Sequence, residues 1–167
     1  YKIGSQKLSA NVKILDVMVT DKEKSPAAKQ IYISRLDGLK LNQKDVLYYT
    51  TDNNGNVDNI FLNDVTGDGY SYGVVTDVTL DNTRKYITSF ILDVKGQQMA
   101  LNGRYKSSLG TGSVVKIITG SRGVESISGL IEIKDTISDI DYSSVYAGGK
   151  KYSISEDVTV YQKNGEN

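Results

Sequence analysis

Val46-Leu-Tyr-Tyr-Thr-Thr-Asp-Asn-Asn-Gly55-Asn-Val57-Asp-Asn-Ile60 reads as a strand, a polar turn and a second strand. The outer segments are rich in residues that suit a pleated, half-wet surface, and Asn54-Gly55 supplies the positive φ that a hairpin turn needs. A second stretch follows the same grammar, Val114-Val-Lys-Ile-Ile-Thr-Gly-Ser-Arg-Gly123-Val124-Glu-Ser-Ile127, with one residue fewer in the turn. Both end on a Val-x-x-Ile strand.

Upstream of each lies a further matching pair. Ile31-Tyr-Ile-Ser-Arg-Leu-Asp-Gly38-Leu39-Lys-Leu41 matches Phe90-Ile-Leu-Asp-Val-Lys-Gly96-Gln-Gln-Met99-Ala-Leu101. A third copy is Ser144-Val-Tyr-Ala-Gly-Gly149-Lys-Lys-Tyr152-Ser-Ile154, running into Asp157-Val-Thr-Val-Tyr161. Further upstream still, Gly73-Val-Val-Thr-Asp-Val78 matches Gly129-Leu-Ile-Glu-Ile133, with Asn11-Val-Lys-Ile-Leu15 as a looser member. Self-similarity at a fixed period marks a repeated structural unit, here about 55–65 residues long. The expected division is a first repeat with an N-terminal strand over 1–72, a second over 73–128, and a partial third over 129–167 packed on its neighbours. The second carries an insertion at Asn102–Gly112, and Tyr1–Ser9 is the candidate to donate a strand to the incomplete third.

Strands are expected near Val12–Val19, Gln30–Leu36, Leu39–Leu41, Val46–Thr51, Val57–Leu62, Tyr72–Leu80 and Tyr86–Val94. More are expected near Gln98–Leu101, Val114–Thr119, Val124–Ile133, Ser144–Ala147, Lys151–Ile154 and Val158–Tyr161. In Val12–Val19 the apolar phase slips, which reads as a β-bulge that would bend the strand. Ser25-Pro-Ala-Ala-Lys-Gln30 is the only helix-friendly stretch, with Pro26 at the first helical position. The fold class is all-β, as tandem small curled barrels of OB-like or SH3-like type.

Composition narrows the chemistry. The 167 residues contain no His, Cys or Trp and one Pro. Disulfides, thiolate nucleophiles, imidazole metal sites and Ser-His-Asp catalysis are therefore excluded within this sequence. Twenty Lys+Arg balance twenty Asp+Glu, so no net charge draws the chain toward nucleic acid, and no Lys/Arg run forms a stripe. No window approaches eighteen apolar residues, so no membrane insertion is expected. Tyr outnumbers Phe twelve to two. Starting at Tyr1 and stopping in mid-pattern, the chain is expected to be an excised fragment.

Two phrases carry a resemblance: Gly149-Lys-Lys-Tyr152-Ser-Ile154-Ser-Glu-Asp157-Val-Thr-Val-Tyr161, and the Val46–Ile60 stretch with its Asp52 and Gly55. Together they resemble the β-rich repeats of S-layer and S-layer-homology-domain proteins of Firmicutes, over most of residues 30–167. The wall-binding S-layer-homology module itself, with its Phe/Tyr-Pro-Asp start and Trp, is not present in the chain. The resemblance implies a secreted, surface-exposed segment of a Gram-positive cell-wall or S-layer protein, extracellular in location. It brings no catalytic residues.

Several stretches are candidates for chemistry. Asp64-Val-Thr66-Gly-Asp68-Gly69 has the opening spacing of a calcium loop, but position 12 falls on Val75 rather than a carboxylate. Asp52 to Asp58 is also rich in oxygen ligands, yet its counterpart at 119–125 replaces most of them, as a turn would. Calcium at Asp64/Asp68 or Asp52/Asp58 is left open. Asp135, Asp139 and Asp141 could supply two acids for glycoside hydrolysis but fall in a polar loop, Lys134–Ser143. Tyr48-Tyr49 and Tyr70/Tyr72 could form a stacking platform for sugars, with one ring of an adjacent pair pointing inward and one outward. Gly110-Thr-Gly112-Ser lacks the Lys and the strand-to-helix context of a phosphate loop.

The expectation is a non-catalytic structural, spacer or interaction segment, with no catalytic, metal or cofactor residues and no cofactor. Its partners would be other copies of such surface proteins or cell-wall polysaccharide. The alternative is a carbohydrate- or ligand-binding β-module using exposed Tyr side chains. A carboxylate-only hydrolase comes last.

Overall fold

In a computed structural model the protein is all-β, and the structure describes residues 2–18, 27–120 and 123–161. Its strands are β1 (Lys2–Ile3), β2 (Gln6–Met18), β3 (Ala27–Ile31), β4 (Val46–Thr51), β5 (Val57–Asn63), β6 (Ser71–Leu80) and β7 (Ile87–Val94). They continue as β8 (Gln97–Tyr105), β9 (Val114–Gly120), β10 (Gly123–Gly129), β11 (Ile137–Ile140), β12 (Ser144–Ala147) and β13 (Lys150–Ser153). Two 3-10 turns lie at Ile33–Leu36 and Gln43–Asp45. Among the described residues no helix is long and apolar enough to cross a membrane.

The chain forms two compact units, Tyr1–Gly69 with Asp135–Val158, and Tyr70–Lys134 with Thr159–Asn167. The first unit holds a curled sheet in the order β1-β2-β5-β4, with β3 on the outer edge of β2, and a three-stranded sheet β11-β12-β13. β2 and β5 run parallel, whereas the other pairs are antiparallel. Ile14, Ile31, Val57, Ile60 and Leu62 are buried at its centre.

The second unit is a five-stranded antiparallel sheet, β10-β9-β6-β7-β8, curled until β10 approaches β8. Its core is Val75, Ile87, Phe90, Leu92, Leu101, Val115 and Ile117. The Asn102–Gly112 insertion folds onto this core. Tyr105 packs on Phe90 with ring centroids 5.6 Å apart and donates its hydroxyl to the Asn102 carbonyl, and Leu109 joins the same cluster.

Single-residue bulges produce the curl. The registers skip Asp58 in β5, Thr76 in β6 and Thr88 in β7. Each extra residue reverses the side-chain phase, so Val57 and Ile60, Val75 and Val78, and Ile87 and Phe90 turn toward a core at spacing three rather than two. Hydroxyls tie down the two threonine bulges: Thr76 Oγ1 donates to the Ile91 carbonyl at 3.1 Å and Thr88 Oγ1 to the Thr79 carbonyl at 3.2 Å.

Several local expectations change. The irregularity of β2 lies between Leu8 and Lys13, where it has three more residues than its partner β5, and the pairing of Ile14–Met18 with β3 is continuous. Ala27–Gln30 is strand, because ladder hydrogen bonds to β2 outweigh the helical preference of Ala-Ala-Lys-Gln; Ser25 and Pro26 lie outside the described residues. Leu39–Leu41 and Val158–Tyr161 are not strands. β1 pairs with β2, while the three-stranded sheet takes its third strand, β11, from the segment read as a polar loop.

Candidate functional site

An open groove of about 1000 Å³ runs across the first unit. β4 forms one wall through Val46, Leu47, Tyr48 and Tyr49. Strict alternation would send the two tyrosines to opposite faces. The register of β4 skips Leu47 but pairs Tyr48 with Phe61 and Tyr49 with Ile60 in direct succession, so alternation holds here, and both residues contribute to the groove lining at the edge strand of the sheet. Tyr48 and Tyr49 are 62% and 41% exposed. Tyr48 rests against Phe61 with centroids 6.1 Å apart.

Ile33, Leu36, Leu39 and Leu41 also line the groove, together with Leu8 and Ile60. The 3-10 turn at Ile33–Leu36 brings Ile33 and Leu36 to one side, and both also touch the core. The second 3-10 turn is held by Asp45, whose carboxylate accepts from the Asn42 backbone N–H at 2.7 Å and from Asn42 Nδ2 at 3.1 Å. The Asn42 backbone bond is the main reason the Asp45 carboxyl is held below its ordinary range. The exposed Lys2 and Lys40 belong to the lining, which contains no Asp or Glu.

Beside the groove wall, a buried polar network fixes the same segment. Arg35 grips Asp68 with two hydrogen bonds, Nε to Oδ2 at 2.8 Å and Nη2 to Oδ1 at 2.7 Å, and donates from Nη1 to Ser153 Oγ. Ser153 Oγ donates back to the Arg35 carbonyl. Both charged side chains are nearly buried, at 11% and 7% exposure, where a bidentate pair is strong and fixes geometry. Asp16, 2% exposed in β2, accepts from the backbone N–H groups of Val65 and Thr66 at 2.9 and 2.6 Å and from Thr66 Oγ1 at 2.6 Å. The Asp64–Gly69 loop is thus anchored at both ends by carboxylates.

The other sequence candidates are placed as follows. Both oxygens of Asp68 face a guanidinium, a position that a calcium ion would have to contest. Asp52 caps its own hairpin, accepting from the Asn54 and Asn56 N–H groups. Asp58 accepts from Thr50 Oγ1 at the β5 bulge. Among the described residues no three Asp or Glu side chains gather around one point. Asp141 closes the turn into β12 through Ser143 N–H and Tyr146 hydroxyl, and Asp139 bonds the Ile140 N–H next to it. Asp135 packs against Gly148. Tyr70 and Tyr72 belong to the second unit, where Tyr70 lies under Lys116 Nζ at 4.0 Å. Gly110 and Ser113 bond each other in a turn, and the Gly112 N–H donates to the Val75 carbonyl.

Sequence reasoning found Tyr48 and Tyr49 but missed the aliphatic residues that line the groove with them. Leu36, Leu39 and Leu41 look like hairpin core positions, and only the 3-10 turn reveals that they line a cleft. No protein family, curated protein or solved structure matches the chain.

Proposed function

We propose that this chain is a non-catalytic interaction segment of a secreted bacterial cell-surface protein, with the groove of the first unit as its binding surface. The observation that carries the reading is the groove itself, about 1000 Å³ of concave apolar surface bordered by two exposed tyrosines. Ligand sites are typically concave and mostly apolar, with a few polar groups at the margin. The tyrosines offer flat apolar area with a polar tip, suited to a sugar ring or to an alkyl chain. The surface location rests on the Gly149–Tyr161 and Val46–Ile60 phrases and on the Tyr-rich, cysteine-free composition.

The test is binding of the intact chain to a panel of cell-wall polysaccharides and apolar small molecules, compared with Tyr48→Ala/Tyr49→Ala. Both residues are exposed, so the variant keeps the core. Binding that weakens at least tenfold in the variant supports the reading. Binding that is unchanged by it places the function elsewhere.

A further inference from the structure

We propose that the groove of the first unit takes a free long-chain aliphatic carboxylate, its alkyl chain lying along the apolar lining and its carboxylate met by the exposed Lys2 and Lys40. The inference rests on the reading of the groove as a binding surface and adds the chemical class of its occupant.

Three observations carry it. First, the apolar lining is mostly aliphatic. Ile33, Leu36, Leu39, Leu41 and Leu47 surround the space, and they offer a sugar no hydrogen bonds. Second, the polar side chains of the lining are Lys2, Lys40, Asn42, Gln43 and the two tyrosines, and Asn42 is already bonded to Asp45 through its amide nitrogen. An unbranched alkyl chain needs no hydrogen bonds from the aliphatic residues, whereas a pyranose must turn its hydroxyls to the polar ones or to water. Third, the charge is one-sided. Lys2 and Lys40 line the groove, no carboxylate does, and neither lysine is among the described ion pairs. An apolar trough with two exposed cations complements a molecule that is apolar along its length and anionic at one end.

The expected energetics are distinctive. Burying one methylene is worth about 0.8 kcal/mol, so each added carbon should tighten binding about fourfold until the trough is full. A bound sugar gives no such ladder.

The experiment is calorimetric titration of the intact chain with hexanoate, octanoate, decanoate and dodecanoate below their micelle concentrations. The neutral alcohols of equal length and a cell-wall polysaccharide complete the set. Support is a roughly fourfold gain per methylene, lost in Leu47→Ser. A several-fold weakening of carboxylates, but not alcohols, in Lys2→Gln/Lys40→Gln completes it. Leu47 is 47% exposed, and circular dichroism verifies that each variant folds. Carboxylates bound without dependence on chain length overturn the proposal, as do carboxylates bound without dependence on the lysines. Polysaccharide that binds through Tyr48 and Tyr49 while the carboxylates do not bind overturns the occupant but keeps the groove as a binding surface. Binding of neither class overturns both.

Discussion

Asp16 shows how one residue can fix a loop that no pattern announces. It occupies an inward position of β2 between buried Ile14 and buried Val17, where alternation calls for an apolar side chain. Its carboxylate answers two backbone N–H groups and a hydroxyl of the Val65-Thr66 turn, so the buried charge is fully hydrogen-bonded. Asp16→Ala leaves both N–H groups without their acceptor, at about 1–3 kcal/mol each. Urea unfolding should shift to lower midpoint by the corresponding amount, and an unchanged midpoint contradicts this role. Turn carboxylates contribute to the response to acid. Asp45, Asp52 and Asp141 are each held below the ordinary value of 3.8, chiefly by backbone hydrogen bonds from Asn42, Asn56 and Ser143. A carboxyl with a lowered folded-state pKa binds fewer protons folded than unfolded, so its stabilisation is present above about pH 4 and lost as pH falls below it. Unfolding midpoints should therefore decline from pH 5 to pH 2, and Asp52→Asn should flatten part of that decline.

At the scale of elements, most hairpins were legible, while the bulges and the 3-10 turn that stands where a hairpin was expected at 30–41 were not. The turn residues state their geometry outright: Lys95-Gly96 and Gly148-Gly149 all have positive φ, which matches two-residue turns between β7 and β8 and between β12 and β13. β4 and β12 accordingly fall where the sequence places them, at Val46–Thr51 and Ser144–Ala147. β11 escaped because all four of its residues are exposed, so no apolar face marked it, and pairing with β12 makes it a strand. The similar-looking hairpins also dock differently. β5, the second strand of one, lies parallel to β2, while β9, the first strand of the other, lies antiparallel to β6. Repeated hairpin grammar therefore specifies local pairing but not how the hairpin joins its sheet. Two glycines separate turn strain from crowding. Gly96→Ala places a Cβ at φ 82° on an open turn and should cost roughly 1–2 kcal/mol. Gly73→Ala drives a Cβ into the Asp93 carbonyl oxygen of β7 and should cost more. Thermal unfolding of the pair tests the order, and equal losses contradict it.

For the whole molecule, the sequence conveyed an all-β chain built of small curled sheets, because short strands and turn signals recur along its length. The groove was not legible, since it depends on a 3-10 turn that brings Ile33 and Leu36 to the same space as Leu39, Leu41 and the edge strand β4. Each unit has its own buried cluster, and that separation is testable. Leu92 is fully buried in the second unit, and Leu92→Ala should remove about 2–5 kcal/mol. Amide exchange should accelerate in β6, β7, β8 and β9 while β2 and β5 keep their protection. Equal acceleration in both sets contradicts separate cores.

The most direct measurement for the groove as the binding surface is amide chemical-shift mapping of the intact chain during titration with decanoate and with cell-wall polysaccharide. The expected result is saturable shifts concentrated at Ile33, Leu41, Leu47, Tyr48, Tyr49 and Ile60 with at least one of the two ligands. Shifts centred on the second unit, or none with either ligand, would contradict it.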